Sequence, residues 1–170
     1  MHNSPEQLFG AWGEQVTLRA MREIMWGDVF SCRNSRTRIA DLLLICGDES
    51  KLPIQVKTTA GSKRLRNVFL GTLNTYRKYV EIAERHYNGA WLLAVVNVFH
   101  KRIFLFEDRY LSLQVQRFEA GRAVMLRFDY SQSYEPRSAH ETSALQLTVP
   151  ELAEGQALAK SCPDQLPLFV

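Results

Sequence analysis

The chain has 170 residues, 46% hydrophobic and 23% charged, with a formal net charge of +3, enough for one domain with a buried core and only basic enough to permit nucleic-acid binding without demanding it. Cys32, Cys46 and Cys162 are odd in number and lack CxxC spacing, which excludes a disulfide framework or zinc site and fits a reducing cytoplasm. Residues 1–7 hold no apolar signal core, and the longest apolar run, Ala90 to Val96, is far too short to span a bilayer.

Ser4-Pro5-Glu6 reads as a helix start, with a serine cap and proline in the first turn. Leu8, Trp12, Val16, Ala20 and Ile24 follow at i+4 spacing, one face of an amphipathic helix ended by Gly27-Asp28. Glu14 lies off that stripe, and Trp12 and Trp26 read as packing residues. Val29 to Arg38 predicts a loop or rim strand. Ile39 to Ile45 and Pro53 to Lys57 predict two strands, and the Gly/Asp-containing turn between them makes a hairpin. Thr58 to Asn67 predicts a basic, flexible loop, and Phe69 to Tyr87 a second helix stopped by Gly89. The Tyr76-Arg77-Lys78-Tyr79 stretch suits DNA contact or a half-exposed helix equally. Trp91–Phe99 with Arg102–Phe106, and Ser112–Phe118 with Val124–Phe128, predict two further hairpins. Ser131 to Cys162 is polar and weakly patterned. The order implies an α/β (α+β) domain around a mixed sheet.

An acid and a lysine on adjacent apolar strands, Asp41 and Lys57, are hard to explain by packing. Alternate strand residues share a face, so Gln55 and Lys57 point one way while Ile54 and Val56 point the other. Asp41 supplies an acid on the neighbouring strand. Arg33, Arg36, Arg38, Lys57, Lys63, Arg64 and Arg66 crowd the same third of the chain, a footprint for phosphate. Phosphodiester hydrolysis needs charge neutralisation, an activated water and a held phosphate, and Mg²⁺ accepts one or two carboxylates together with waters. Asp41, the Gln55 carbonyl and a backbone carbonyl such as that of Val56 suit the ion. Glu14 suits a metal water or a second ion, and Lys57 suits the attacking water or the phosphate. Scattered His2, His86, His100 and His140 show no ligand spacing.

Glu14 on a helix, Asp41 on a strand, Gln55-Val56-Lys57 on the next strand and a helix after it make an ordered set that resembles the PD-(D/E)xK nuclease superfamily over roughly residues 8–107. Thirteen residues separate Asp41 from Gln55. The resemblance implies a restriction-endonuclease-like core over residues 1–130, a mixed central β-sheet flanked by helices with extra C-terminal strands, and a polar extension at 131–162. It implies a Mg²⁺-dependent DNA endonuclease, with Mn²⁺ as an alternative ion. Catalytic roles then fall to Glu14, Asp41, Gln55 and Lys57, metal ligation to Asp41, Gln55 and Glu14, and DNA contacts to Arg36, Arg38, Lys63, Arg64 and Arg66. Enzymes of this type often act as homodimers on the two strands of a duplex. The QxK variant puts a neutral ligand where an acid is usual, and the alternative reading is a catalytically silent DNA- or clamp-binding module that kept the fold.

The tail, Gln165-Leu166-Pro167-Leu168-Phe169-Val170, resembles the bacterial sliding-clamp-binding motif at Gln165, Leu166, Leu168 and Phe169. It implies recruitment of residues 163–170 by the β clamp during replication, repair or recombination. Such peptides bind extended, a shape that Pro167 favours.

Overall fold

In the computed structural model the described residues are 2–24, 26–32, 40–62, 65–72, 77, 80–81, 83–85, 88–110, 112–118 and 121–162, with 65–72, 112–118 and 121–126 described as backbone. The first helix, α1 (Pro5–Ile24), opens on a reciprocal cap. Gln7 N–H donates to the Ser4 hydroxyl at 3.2 Å, and the Gln7 side-chain carbonyl accepts from Ser4 N–H at 2.9 Å. Its buried stripe is Phe9, Trp12, Gly13, Val16, Thr17, Ala20, Met21 and Ile24, so the helix is rotated slightly from the expected i+4 row and Leu8 lies exposed. The i+4 row drifts around a 3.6-residue helix, and pairing it with i+3 positions keeps the stripe facing the sheet.

The strands are β1 (Gly27–Ser31), β2 (Leu42–Cys46), β3 (Lys51–Thr59), β4 (Leu65–Thr72), β5 (Leu92–Asn97), β6 (Arg102–Glu107), β7 (Ser112–Phe118) and β8 (Gly121–Asp129). They form a five-stranded sheet in the order β1-β2-β3-β5-β6 and a three-stranded sheet in the order β4-β8-β7. Among the described strands of the large sheet β3 and β5 pair parallel and the other neighbours antiparallel, so the sheet is mixed, as expected. The chain between β3 and β5 holds β4 and a helical segment, α2, described at residues 77, 80–81 and 83–85. Two C-terminal helices follow, α3 (Ala139–Leu145) and α4 (Val149–Lys160).

β5 is buried along its whole length, which is why Leu92 to Val96 reads as a continuous apolar run. On one side of the sheet α1 packs Phe9, Trp12, Val16 and Met21 against Leu42, Leu44, Ile54, Val56, Ala94 and Val96. On the other side Trp91, Leu93, Val95, Phe104 and Phe106 pack with Phe128 and Tyr130, which joins the end of β8 to the large sheet. Burying each such side chain contributes about 1.5–3 kcal/mol against leaving it in water.

Several expectations are corrected. Leu65 to Thr72 is a strand, so the basic loop is shorter than expected and the second helix starts later than Phe69. Its β-branched and aromatic Val68-Phe69 pair with β8, and tertiary pairing overrides the helical spacing. β2 begins at Leu42, leaving Asp41 at a bend. The polar stretch after residue 131 contains two helices. Thr148 and Glu151 form a capping box for α4, and Gly155 lets it lie against Trp12. Arg19 of α1 holds both helices: it donates to Glu151 at 2.6 and 2.8 Å, to the Ala144 carbonyl at 2.8 Å and to the Gln146 carbonyl at 3.1 Å. Glu141 of α3 accepts from Arg137 N–H at 2.7 Å, the Tyr134 hydroxyl at 2.8 Å and Trp26 Nε1 at 3.3 Å. Those bonds, the Arg137 N–H foremost, hold its carboxyl below the usual carboxylate range, while burial pushes the Tyr134 hydroxyl up.

Candidate active site

The β2–β3 hairpin sets the register of the candidate residues. Its turn carries Glu49 at φ 65°, Cys46 N–H bonds the Ser50 carbonyl at 2.8 Å, and Ser50 N–H bonds the Asp48 carboxylate at 3.0 Å. The turn aligns Leu42 with Ile54, so Asp41, one residue before β2, comes level with Gln55. Asp41 is held at three atoms. Its N–H donates to the Ile54 carbonyl at 3.1 Å, its carbonyl accepts from Cys32 N–H at 2.9 Å, and its Oδ2 accepts from Val56 N–H at 2.8 Å. Asp41 as a whole is 6% exposed. A bend rather than a strand residue is what the chemistry of Asp41 needs here. Leaving the ladder lets the side chain take the N–H that a further β2 residue would have bonded.

Gln55 and Lys57 are half-buried and, by strand alternation, share the face opposite α1. Across the parallel ladder they sit beside Leu93 and Val95, and Asn97 comes two pairs further along, level with Thr59. Val56 and Thr58 point the other way, toward Gly13 of α1, which lies so close to the Thr58 side chain that a Cβ there has no room. The helix therefore places Glu14, also half-buried, one residue past its contact with the C-terminal half of β3. The structure thus sets Asp41, at the bend before β2, level with Gln55 of β3, with Lys57 further along β3 and Glu14 on the helix that covers the same strand. Arg36, Arg38, Lys63, Arg64 and the tail residues Gln165, Leu166, Leu168 and Phe169 lie outside the described residues, and Arg66 is described as backbone within β4.

The donors fit a hard cation in kind. Asp41 offers carboxylate oxygen and Gln55 an amide oxygen. Since the N–H and C=O of a strand residue face the same neighbouring strand, the Val56 carbonyl is directed toward Asp41 as well. Among the described residues no three His, Cys, Asp or Glu side chains gather as a metal-binding group. An ion at this place would be held by one strand carboxylate with neutral oxygens and waters, a composition suited to Mg²⁺ rather than to zinc.

One buried polar residue escaped the reading of the sequence. Asn97 is fully buried: its Nδ2 donates to the Gly61 carbonyl at 2.9 Å and to the Tyr130 hydroxyl at 2.7 Å, and its Oδ1 accepts from His100 N–H at 3.0 Å. The signal was a single amide inside the apolar run Leu92 to Val98. By contrast, a cavity of ≈ 580 Å³ lined by Trp26, Leu52, Trp91, Leu92, Leu105 and Tyr134 opens at the N-terminal ends of β3 and β5, away from Lys57.

No protein-family model and no curated protein matches the chain. Among solved structures it is similar to the Holliday junction resolvase Hjc of Archaeoglobus fulgidus, an archaeal hyperthermophile, with a TM-score of 0.43 and 16% sequence identity over 83% of this chain and 95% of that one. Among the described residues, no helix is long and apolar enough to cross a membrane.

Proposed function

We propose that this protein is a metal-dependent DNA endonuclease of the PD-(D/E)xK type that hydrolyses phosphodiester bonds at Asp41, Gln55 and Lys57. The observation that carries the reading is the Leu42–Ile54 register, which brings Asp41 level with Gln55 while Lys57 follows on the same face. Beside them stand the apolar Leu93 and Val95. A carboxylate and an ammonium on such a face cost more in desolvation than a pair of apolar residues would, so packing alone gives no reason for them.

In this reading Asp41, the Gln55 amide oxygen and the Val56 carbonyl would hold Mg²⁺ or Mn²⁺, and Glu14 would accept from a water near it. The bound ion supplies charge neutralisation at the scissile phosphate. Lys57 draws the phosphate toward the strand and donates to the attacking water, keeping its oxygen lone pair directed at phosphorus. Val56 N–H keeps the Asp41 carboxylate from turning away. Basic residues 33–38 and 63–66 would grip flanking phosphates, and a homodimer would present two such sites to the two strands of a duplex. The Gln165-Leu166-Pro167-Leu168-Phe169 tail would deliver the enzyme to DNA through the sliding clamp, in replication, repair or recombination.

Cleavage of duplex, branched, mismatched and single-stranded DNA with Mg²⁺ or Mn²⁺ tests the reading, with Asp41→Asn and Lys57→Met as controls. Metal-dependent cutting lost in both variants is expected, and full activity in either would sink the mechanism. A second reading, a silent DNA- or clamp-binding module, draws on the neutral Gln55. DNA binding without cutting of any substrate would select it.

A further inference from the structure

We propose that the cavity between the end of α1, α3 and the N-terminal ends of β3 and β5 is a docking site for a basic segment of a partner protein, which seats an apolar side chain there beside a lysine or arginine. The site stands apart from the candidate active site. Leu52 of its lining precedes Lys57 by five residues, about 16 Å along β3, so a partner can dock here without covering Lys57. Neither the proposal nor its test depends on the nuclease reading.

The walls are built before any ligand arrives. Trp26 Nε1 donates to Glu141 Oε1 at 3.3 Å, the Tyr134 hydroxyl donates to Glu141 Oε2 at 2.8 Å, and the Trp26 and Tyr134 rings meet edge to face with 4.9 Å between centroids. Tyr134 N–H also donates to the Leu105 carbonyl at 2.6 Å, which fixes this wall to β6. One carboxylate thus takes up the polar ends of both rings and leaves their apolar bodies to line the space with Trp91, Leu92 and Leu105. Packed protein interiors leave few voids larger than a water molecule. A cleft of ≈ 580 Å³ with such walls has the size and the mostly apolar lining of a preformed binding site. A second, polar hollow of ≈ 400 Å³ shares Glu107 and Tyr134 with it. Together they make a groove with room for more than one side chain, suited to an extended segment.

The charge of this groove selects the occupant. Glu107, Asp108, Glu135 and Glu141 line it, against Arg137 and against Arg109, which pairs with Glu107 at 2.6 Å. Four carboxylates facing two guanidinium groups give the groove a negative balance in a chain whose formal net charge is +3. Phosphate is repelled here, so nucleic acid is the wrong occupant, whereas a lysine or arginine gains both the carboxylates and the aromatic rings. Glu107 and Glu135 are exposed and Asp108 is half-buried, so a partner reaches all three from solvent.

The test titrates the full chain with three peptides capped at both ends, Lys-Phe-Leu-Lys, Glu-Phe-Leu-Glu and Lys-Ser-Ser-Lys, and follows the indole N–H signals by NMR. Lys-Phe-Leu-Lys should shift those of Trp26 and Trp91 and leave that of Trp12, which is buried against Gly155. It should bind at least about tenfold more tightly than either of the other two, since it alone offers both the apolar anchor and the positive charge. Two variants act at the rim without touching the core. Ala90→Trp fills the mouth from an exposed position and should weaken Lys-Phe-Leu-Lys on the order of tenfold, and Asp108→Asn removes one charge and should weaken it about threefold. No shift of Trp26 and Trp91 with this peptide at millimolar concentration, equal binding of the acidic peptide, or unweakened binding in Ala90→Trp would overturn the site. Phenethylammonium, a small aromatic cation, is the rival probe. Binding as tight as that of the peptide would assign the cavity to a small organic cation and refute the partner segment.

Discussion

The Oδ2 atom of Asp41 accepts the Val56 N–H at 2.8 Å, fastening the acid to the middle of the Gln55-Val56-Lys57 triplet. The acid at the bend before β2 is therefore tied directly to the strand that carries the two polar side chains. The bond also separates two consequences of changing Asp41. Asn keeps an acceptor for Val56 N–H, whereas Ala leaves that buried donor unpaired at a cost of about 1–3 kcal/mol. Asp41→Asn should retain near-normal urea stability and lose cleavage by about two orders of magnitude or more, the scale of removing one group that stabilises a transition state. Asp41→Ala should lose both. Denaturation curves run beside cleavage assays check the difference, and equal stability loss in the two variants would count against the role given to this bond.

Gln55 controls metal affinity in the proposed mechanism. Replacing it with Glu adds a second carboxylate to the same strand face, and ligand charge tunes the affinity of oxygen sites for hard cations. Gln55→Glu should lower the Mg²⁺ concentration for half-maximal cleavage, and Gln55→Ala should raise it. A titration of cleavage rate against Mg²⁺, with calorimetry on the DNA-free protein as a second readout, checks the order of the three proteins.

The seating of the helices can be tested at two glycines. A methyl group at Gly13 meets the Thr58 side chain, and one at Gly155 meets the Trp12 indole. Overpacking of this kind costs about 1–3 kcal/mol. Gly13→Ala and Gly155→Ala should each lower the melting temperature. Gly13→Ala should also impair cleavage, because the shifted helix carries Glu14 away from β3. Gly155→Ala meets α1 at the Trp12 indole instead of at the contact with β3, and should impair cleavage less than Gly13→Ala.

Acid should loosen the α3 junction through Glu141. Its carboxyl is held below the usual range when folded, so its contribution is present above the ordinary carboxylate pKa and is lost as pH falls through the folded value. Urea midpoints measured from pH 7 down to pH 3 should fall more steeply for the wild-type chain than for Glu141→Gln, in which the group no longer titrates. Parallel curves would show that the hydrogen bonds from Arg137, Tyr134 and Trp26 contribute nothing to the pH dependence.

Removing residues 165–170 should abolish binding to purified sliding clamp, read by surface plasmon resonance, and leave metal-dependent cleavage of naked DNA within twofold of the full chain. Retained clamp binding would show that the tail motif is not the contact.

Much of the candidate site was legible because it depends on local rules. Alternation along β3 and the turn after Cys46 suffice to bring Asp41, Gln55 and Lys57 together, and both are visible as residue patterns. The bend at Asp41 was not legible, since it reflects competition between a side chain and the backbone for one N–H. Phe69 was misread as helical because β4 exists only through pairing with β8, more than fifty residues later. The helices after residue 138 were missed for a related reason. α4 buries only Gly155 fully and its attachment runs through Arg19 and a glycine contact, so it carries little apolar periodicity. Asn97 was overlooked because a lone amide in an apolar strand gives no hint of its partners, and all three come from elsewhere in the chain or across a turn.

The hairpin that sets Asp41 against Gln55 has a kinetic side. β2 and β3 meet by closing a short loop, an event on the microsecond scale, whereas β5 can dock beside β3 only after the chain has passed through β4 and α2. The Asp41, Gln55 and Lys57 triad is thus assembled from near neighbours, while Leu93, Val95 and Asn97 arrive by long-range contact. Substitutions in the β2–β3 turn should slow refolding, and substitutions in β5 should chiefly hasten unfolding. On that order the polar residues of the site would be in place before the apolar strand beside them.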